Sequence, residues 1–479
     1  MNKWLLVGWM TVLLLKGTVG LTQNVWDLRR CVDYAVTNNI NVKQADIQAK
    51  IAALNVQRQK LQRWPSANFQ SNAGEQFGRS IDPATNQFTN NQITFTQFSF
   101  STSATLFNWF SGAYTIQAQE LELKAQYATV EKWKNDISLN VAGAYLQVLL
   151  SREQIQIARV QLQQTREQLS NTKKLVDAGT LPELSAAELE AQLARDSSSY
   201  VNAETAYASN LLSLKIWMNY DPMEPLELLA PPVDQIPVEN FADLQPVSVY
   251  NLALQNMPQQ KVNQLRLQSL DRFRKAARSA LYPTISAFGN LNSAYSSALE
   301  VLPKGAPVLT NVPIGLVTVD ANTYTVVRPS LISTDFNKAT FFRQLDFQFR
   351  QNLGLSLNVP IFNGGTAKTN WQRSKLNYQS QQLQVERDNL TLKQDITRAY
   401  NDATAAYQRY QASVKTVATA EYSFELTRKR YEAGLLRTID LITNQNNLFR
   451  ARLEQTANHF EYVFRMKVLE FYKGQGLKL

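Results

Sequence analysis

Two long segments of the chain carry the apolar spacing of an amphipathic α-helix. Residues 113–178 contain one glycine and no proline, and residues 366–433 contain neither. In the first segment apolar side chains recur every three or four residues, as at Ile137, Val141 and Ala144. Each segment predicts a helix of roughly 100 Å at 1.5 Å per residue. Helices of this length with narrow apolar seams pack side by side as coiled coils and do not form a globule.

Apolar and polar residues alternate in shorter segments between these helices. From Leu345 to Ile361, eight of the nine odd-numbered positions are apolar, whereas the even-numbered positions hold Asp, Gln, Arg, Asn, Gly, Ser and Pro. This period of two predicts a strand with one apolar face. Residues 93–106 alternate in the same way, with a phase shift between Phe95 and Phe98 that predicts a β-bulge. Weaker strands at 69–77 and 285–295 bring the expected total to about four.

The chain contains two copies of one structural unit. Residues 35–66 resemble residues 253–284, an offset of 218. Two later similarities, at an offset of 255, pair residues 106–108 with 361–363 and residues 176–179 with 431–434. Three similarities in the same order predict tandem repeats, each reading helix, strand, loop, strand, long helix, tight turn, helix.

The repeats predict the organisation of the chain. We expect a first repeat over residues 21–219, a proline-rich linker over 220–246 and a second repeat over 247–479. The offsets differ by 37 residues, 255 minus 218, which places an insertion of that length between Pro283 and Phe362. This insertion and residues 78–83 are expected to form external loops.

The first twenty residues have the pattern of a secretory signal peptide. A short basic start at Lys3 precedes an apolar stretch from Trp4 to Leu15, and small residues follow at 17–20. The apolar stretch is too short for a membrane-spanning helix. We therefore expect an exported protein.

Composition excludes several classes of enzyme and metal protein. With one cysteine, Cys31, and one histidine, His459, the chain cannot build a disulfide framework or a metal site from several Cys or His ligands. No nucleophile-elbow sequence occurs, so we expect no enzymatic activity, no cofactor and no bound metal. The formal net charge is +10, but the basic residues are spread singly along the helices, which predicts no nucleic-acid partner.

The one-sided strands decide the class of the exported protein. Such strands form either half of a soluble sandwich or the wall of a water-filled membrane barrel. About four strands cannot close a barrel, and an open edge in lipid leaves backbone groups unpaired. Because no other segment would cover the apolar face, we expect several chains to share one barrel. Three chains would supply about twelve strands.

The arrangement of these features resembles the TolC-like outer-membrane efflux proteins. The resemblance lies in the twofold repeat, the strand-to-helix junctions at 106–108 and 360–365, and the turn at 431–434 followed by residues 438–441. It implies an α+β membrane protein in the outer membrane. A homotrimer would share a twelve-stranded barrel, with about four strands per chain, continuous with a long α-helical coiled-coil barrel in the periplasm.

The resemblance also implies function and partners. The trimer would be the exit duct of a tripartite efflux or type I secretion system, which passes substrates from an inner-membrane RND or ABC transporter through a periplasmic adaptor protein. Two alternatives remain open from the sequence. One is an outer-membrane coiled-coil protein that acts only as a structural or adhesive spacer, and the other is a periplasmic hydrolase.

The resemblance assigns roles to the turns between long helices. In the family these turns form the tip that docks the adaptor, and the predicted contact residues are Gly179, Thr180, Leu181, Gly434, Leu435, Leu436 and Arg437. Asp440 matches an inward-facing carboxylate that narrows the closed tube, whereas Thr443 stands where the family often has a second carboxylate. The remaining gate candidates are Glu188, Asp177 and Glu432, with Arg430 and Arg437 as possible salt-link partners.

Overall fold

A computed structural model describes most of the chain as two compact units. The described residues are 25–81, 88–89, 92–229, 233, 236–303, 307–320, 322–332 and 336–474. We call the first unit, Met1–Ala53, Glu120–Gln268 and Gln379–Leu479, the helical unit, and the second, Leu54–Gln119 and Ser269–Tyr378, the strand unit. The predicted signal peptide, 1–20, lies outside the described residues. No described helix combines the length and the apolar character needed to cross a membrane.

The main elements occur in the same order twice, and the second copy adds strands and one short helix between its helix pairs. The first copy contains α1 Leu28–Asn38, α2 Ile40–Leu61, β1 Ser66–Gln76, β2 Ser80–Ile81, β3 Phe88–Thr89, β4 Ile93–Phe107, α3 Ser111–Asp177 and α4 Glu183–Met218. A short 3-10 helix, Phe241–Leu244, precedes the second copy. That copy contains α5 Pro246–Asn256, α6 Pro258–Ser279, β5 Thr284–Ser296, β6 Glu300–Pro303, β7 Val308–Val319, β8 Asn322–Ile332, β9 Phe336–Lys338, α7 Phe341–Phe347, β10 Arg350–Asn358, α8 Thr366–Glu432 and α9 Thr438–Tyr472. The predicted helix-rich fold with tandem repeats is confirmed.

The two long helices begin in the same way. Each has 67 residues and follows an asparagine at the end of a strand segment. The Oδ1 atom of Asn108 accepts a hydrogen bond from the backbone N–H of Gly112, and that of Asn363 accepts one from Ala367, each at 3.4 Å. These bonds satisfy N–H groups that the first turn of a helix leaves without an intrahelical partner.

Residues 25–64 contain neither glycine nor proline, and the predicted repeat begins with a single helix there, but the structure has two. The helix is interrupted at Asn39, whose backbone is extended, and α2 starts at the next residue. The Asn39 side chain accepts from the N–H of Asn41 and donates to the carbonyl of Trp217, both at 2.9 Å. In the second copy the break falls at Met257, before Pro258, because proline disfavours helix in the preceding residue.

The strand unit contains a four-stranded antiparallel sheet in the order β1-β4-β5-β10. Its register places most of the large apolar side chains on one face and most of the polar ones on the other. Exceptions include Phe95 and Phe288 on the mainly polar face, and Ser71, Thr102 and Ser293 on the mainly apolar face. One face carries Ala67, Phe69, Phe98, Phe100, Ala104, Ile285, Leu291, Leu353, Leu355 and Leu357. The other carries Ser66, Asn68, Gln70, Ser99, Ser101, Ser103, Ser286, Asn290, Asn292, Asn352, Ser356 and Asn358.

The bulge expected in β4 lies at another position. β1 pairs with β4 without a register shift from Ile93 to Ser103, so the phase change after Phe95 is not a bulge. The shift occurs instead between Thr105 and Phe107, against β5. It places Phe107 opposite Ile285, on the apolar face at the end of the sheet.

The predicted strand from Leu345 to Ile361 is shorter than its alternation suggested. Its first residues belong to the short helix α7, and the ladder runs only from Arg350 to Asn358. Contacts with β5 override the local pattern: the Ser293 hydroxyl donates to the Leu345 carbonyl at 2.6 Å, and the buried Gln344 accepts from the Ser296 N–H at 2.9 Å.

The chain also has more strands than the four expected. Within the described residues, the segment after β5 forms the pairs β6–β9 and β7–β8, and β2 pairs with β3 in the first copy. The four strands predicted from alternation are those of the sheet. The additional hairpins were missed because β7 and β8 carry apolar residues on both faces, which removes the period of two.

Candidate functional site

Both turns between long helices end with a glycine in the left-handed conformation. The φ angle is +73° at Gly179 and +75° at Gly434. In each turn the glycine N–H donates to the carbonyl three residues back, at 2.8 and 2.9 Å, and the following N–H donates five residues back, at 2.9 Å. This hydrogen-bond pattern is the Schellman motif, which ends a helix. The chain changes direction sharply at the two residues after the glycine.

The leucines at the turns are exposed to different degrees. Leu435 is 73% exposed, whereas Leu181 and Leu436 are half-buried. Thr180 is exposed, but its hydroxyl donates to the carbonyl of Leu175 at 2.7 Å and closes its own turn. Leu184, in the first turn of α4, is 67% exposed and was not among the predicted contacts, although its place after a proline could have indicated it.

Two of the four ionisable gate candidates, Asp440 and Glu432, form ion pairs with basic residues three or four positions away in the sequence. Asp440, half-buried, lies 3.6 Å from the Nε of Arg437, and Glu432 lies 3.7 Å from the Nε of Arg428. Glu188 is half-buried and Asp177 is exposed. Among the described residues neither Asp177 nor Arg430 has an ion pair. Such exposed pairs stabilise a protein by about 0–1 kcal/mol each, so the salt links proposed for the tip remain a prediction.

Neutral hydrogen bonds connect the helices near the turns instead. The hydroxyl of Tyr431, at the end of α8, is 3.2 Å from that of Thr172 on α3 and 3.5 Å from that of Thr438 on α9. All three residues are buried. The contact between Tyr431 and Thr172 joins the first repeat to the second. The sequence gives no sign of it, because tyrosine and threonine carry no charge.

A second buried network connects α3, α4 and α9. The carboxylate of Asp196 accepts from the Thr165 hydroxyl at 2.6 Å and from the Gln192 amide at 2.8 Å. Gln192 also exchanges hydrogen bonds with Asn446, and Gln445 donates to the Thr165 hydroxyl at 3.1 Å. Because buried polar groups are costly without partners, this network favours one register between the three helices.

The apolar face of the sheet is exposed along its β10 edge. Leu353, Leu355 and Leu357 are 87%, 72% and 65% exposed. At the far end of β5 the ring of Phe341, from α7, lies 5.2 Å from that of Tyr295 and covers part of this face. A sheet with one wet polar face and one bare apolar face is typical of a wall between water and lipid.

A cluster of aromatic side chains lies where the sheet meets the helices of the strand unit. The ring of Phe107 lies 5.5 Å from that of Trp109 and 5.9 Å from that of Phe110. Trp109 in turn lies 5.0 Å from Tyr282. Aromatic residues at the ends of such strands are typical of a membrane–water interface.

Among the described residues, no group of three or more His, Cys, Asp or Glu side chains could hold a metal ion. Long helices and a small two-faced sheet in each chain are typical of outer-membrane channel proteins.

Comparison with known proteins identifies the family. The family model described as outer membrane efflux protein matches residues 32–219 and 344–462, about two thirds of the chain. The chain belongs to this family, as the resemblance to TolC-like proteins predicted. No curated protein sequence matches the chain.

Solved structures of channels share the fold at low sequence identity. A structure of CusC matches with a TM-score of 0.73 and 15% identity over 94% of this chain and 92% of that one. The CmeC outer membrane channel of Campylobacter jejuni gives 0.69 and 16% over 94% and 87%. The open MtrE channel of Neisseria gonorrhoeae gives 0.68 and 17% over 94% and 89%.

The family membership establishes the location and the general role. The protein is an outer-membrane protein that extends into the periplasm, and its role is that of an efflux duct. The family and these structural neighbours are channels and not enzymes.

Proposed function

We propose that the protein is the outer-membrane exit duct of a tripartite efflux or type I secretion system. It would conduct passively the substrates that an inner-membrane RND or ABC transporter hands over through a periplasmic adaptor. The observation that carries the proposal is the two-faced sheet, because its bare apolar face fits lipid and its Ser- and Asn-rich face fits a water-filled lumen.

Exposed heptad seams support a homotrimer. Helix α2 exposes apolar residues spaced by seven, which are Ile40, Ile47, Leu54 and Leu61. Helix α8 exposes Leu376, Leu383 and Leu390 at the same spacing. Seams of this period pack into the seams of other helices in coiled coils, and copies of the same chain supply such helices. Three copies would also close the four-stranded sheets into the predicted twelve-stranded barrel.

The seams give a test of assembly. Leu383→Glu places a charge in the α8 seam and should shift detergent-purified protein from trimer towards monomer in mass photometry. The control, Asn377→Glu, adds the same charge at an exposed polar position of the same helix, about 120° around its axis from the seam at 3.6 residues per turn. Equal behaviour of the two variants would count against the seam as the contact between copies.

The turns at Gly179 and Gly434 are the proposed docking site of the adaptor. Leu435 and Leu184 present bare apolar side chains beside rigid turns, which suits contact with a helical hairpin of a partner. Leu435→Ser should weaken binding of the adaptor in pull-down by about tenfold, the effect of removing one apolar anchor. Val201→Ser, at another exposed position on α4, should leave binding unchanged.

Asp440 is the proposed narrowing group of the closed duct. Three copies around one axis would form an acidic ring, which favours the passage of cations. In planar bilayers Asp440→Asn should lower the preference for cations over anions, whereas Asp33→Asn, an exposed carboxylate on α1, should not. Equal selectivity in both variants would remove Asp440 from the gate.

Single-channel recording tests the proposal as a whole. Purified protein in planar bilayers should show discrete conductance steps. A spacer protein with the same helices should show none, so the absence of steps from correctly assembled trimers would favour the spacer.

A further inference from the structure

A cavity of about 520 Å³ lies within the strand unit, between the last turn of α2 and the first turn of α3. Its polar lining residues are Gln59, Gln62, Arg63, Thr105 and Asn108. Its apolar wall consists of Leu106, Phe107 and Phe110, all of them exposed. Cavities with one cationic and one apolar wall fit amphiphiles with an anionic head.

Arg63 is not neutralised by its own chain. Within the described residues it has no ion pair and its side chain has no hydrogen-bond partner, and no carboxylate lines the cavity. An exposed guanidinium offers five N–H donors in a planar fork that matches the oxygens of a phosphate group.

The charge around the cavity has one sign. The helix turns that adjoin the sheet, at residues 54–65, 269–283 and 362–378, contain ten basic residues and one acidic residue. The basic residues are Arg58, Lys60, Arg63, Arg272, Arg274, Lys275, Arg278, Lys368, Arg373 and Lys375. The acidic residue, Asp271, pairs with Arg274 and Lys275 at 2.6 and 2.9 Å. The excess of positive charge complements an anionic surface.

The backbone beside the cavity is strained. Trp109 and Phe110 have φ angles of +53° and +62°, a conformation that side chains with a Cβ rarely adopt. The second repeat makes the equivalent turn with Gly364 and Gly365, at +65° and +77°. Since glycine adopts this turn without strain, the aromatic pair in the first repeat indicates a role for the rings themselves.

We propose that this cavity binds an anionic phospholipid of the periplasmic leaflet, with the phosphate on Arg63 and an acyl chain along Leu106, Phe107 and Phe110. The inference rests on the proposed function, because that function places the apolar face of the sheet in lipid. The second repeat lacks the site, since Leu281 occupies the position of Arg63 and two glycines replace the rings. Each chain therefore has one site.

The test is a titration of detergent-purified protein with phosphatidylglycerol, followed by native mass spectrometry. Arg63→Gln should weaken binding about fivefold, the effect of one basic residue at an anionic membrane surface. Arg278→Gln removes an equal charge from the same basic region but outside the cavity, and should change binding by less than a factor of about two. An equal loss in both variants would overturn the site in favour of a diffuse electrostatic field.

A second variant separates lipid binding from folding. Phe110→Gly should weaken lipid binding while the melting temperature stays constant or rises, because glycine relieves the strain. Asn219→Gly, which relieves a φ of +54° outside the cavity, should affect stability alone. Unchanged lipid binding by Phe110→Gly would overturn the role of the ring. Displacement of the lipid by millimolar inorganic phosphate would show a simple anion site and overturn the lipid assignment.

Conductance distinguishes this inference from the proposed function. Arg63→Gln channels should conduct in planar bilayers as the unmodified protein does. Specific lipid binding by protein that shows no conductance would contradict the duct and leave the lipid site in place. Conducting channels without specific lipid binding would contradict the site alone.

Discussion

The two ends of the long helices differ in how the chain neutralises its own charges. The turns at the helix ends, residues 171–190 and 425–443, contain six basic and seven acidic residues, and several pair along one helix. The segments next to the sheet contain ten basic and one acidic residue. At the turns, nearly balanced charges surround exposed leucines such as Leu435. Next to the sheet, an excess of positive charge lies beside exposed aromatic rings.

This difference indicates that the two regions need different neighbours. A nearly neutral surface with bare leucines fits another helix, because apolar contacts contribute most where few charges must be desolvated. A positive surface with aromatic side chains fits the head groups of a membrane. The helical unit pairs buried polar groups such as the Asp196 carboxylate within its own helices, whereas the sheet leaves much of its apolar face exposed.

The largest expected effect comes from a charge on the apolar face of the sheet. Leu355→Arg should destabilise the protein in lipid by about 2–4 kcal/mol, the cost of an arginine facing the centre of a bilayer. Urea unfolding in lipid vesicles, followed by tryptophan fluorescence, measures the change. The matched control, Ser356→Arg, places the same side chain on the polar face and should cost much less. Similar losses in the two variants would contradict the sidedness of the sheet.

A smaller effect is expected inside the helical unit. Asp196→Ala removes the acceptor of the buried Thr165 hydroxyl and one of the two acceptors of the Gln192 amide, and should cost about 1–3 kcal/mol. Denaturant unfolding followed by circular dichroism at 222 nm reports the loss. Asp177→Ala removes an exposed carboxylate and should change stability by less than about 0.5 kcal/mol. If Asp196→Ala were equally harmless, the network would not determine helix register.

The turns at the tip should show a local effect of strain. Gly434→Ala forces a Cβ into the left-handed region at a cost of about 1–2 kcal/mol, although no atom lies within 4 Å to clash with it. Hydrogen exchange of the Leu435 N–H, which donates to the Arg430 carbonyl, should become faster. Gly315→Ala, in open space without a left-handed backbone, is the control. Unchanged exchange in Gly434→Ala would mean that the turn adapts at no cost.

The sequence predicted the parts of the fold that local rules determine. Long segments with at most one glycine predicted the long helices, the period of two predicted the four strands of the sheet, and the glycines at 179 and 434 predicted the turns. The errors occurred where distant contacts decide. Gln344 and Ser293 hold α7 as a helix against an alternating pattern, and the Asn39 side chain breaks a helix by bonding the carbonyl of Trp217.

The candidate site residues also differ in whether local sequence or distant contacts determine them. The turn residues could be named from the sequence because each follows a glycine at a fixed distance. The contact between Tyr431 and Thr172 spans 259 residues, so no local pattern reveals it. The strain at Trp109 and Phe110 also needed backbone angles, although the Gly-Gly at the equivalent position of the second repeat was a visible signal.

The smallest expected effect concerns the reactivity of Cys31, which allows the helical unit to be compared with the sheet. Cys31 is fully buried against apolar neighbours, and burial raises the pKa of its thiol from 9.0 to about 12. The folded state thus favours the neutral thiol. The stabilisation that the buried thiol contributes is complete below pH 9 and is lost as the pH rises from about 9 to 12.

A water-soluble disulfide reagent at pH 8 should label Cys31 only after unfolding, since the thiolate is the reactive form. In a Cys31→Ala background, Ser103→Cys on the exposed polar face of the sheet should react in the folded protein. Rapid labelling of native Cys31 would mean that the helical unit opens at this point, and would weaken the contrast between a self-contained helical unit and an open sheet.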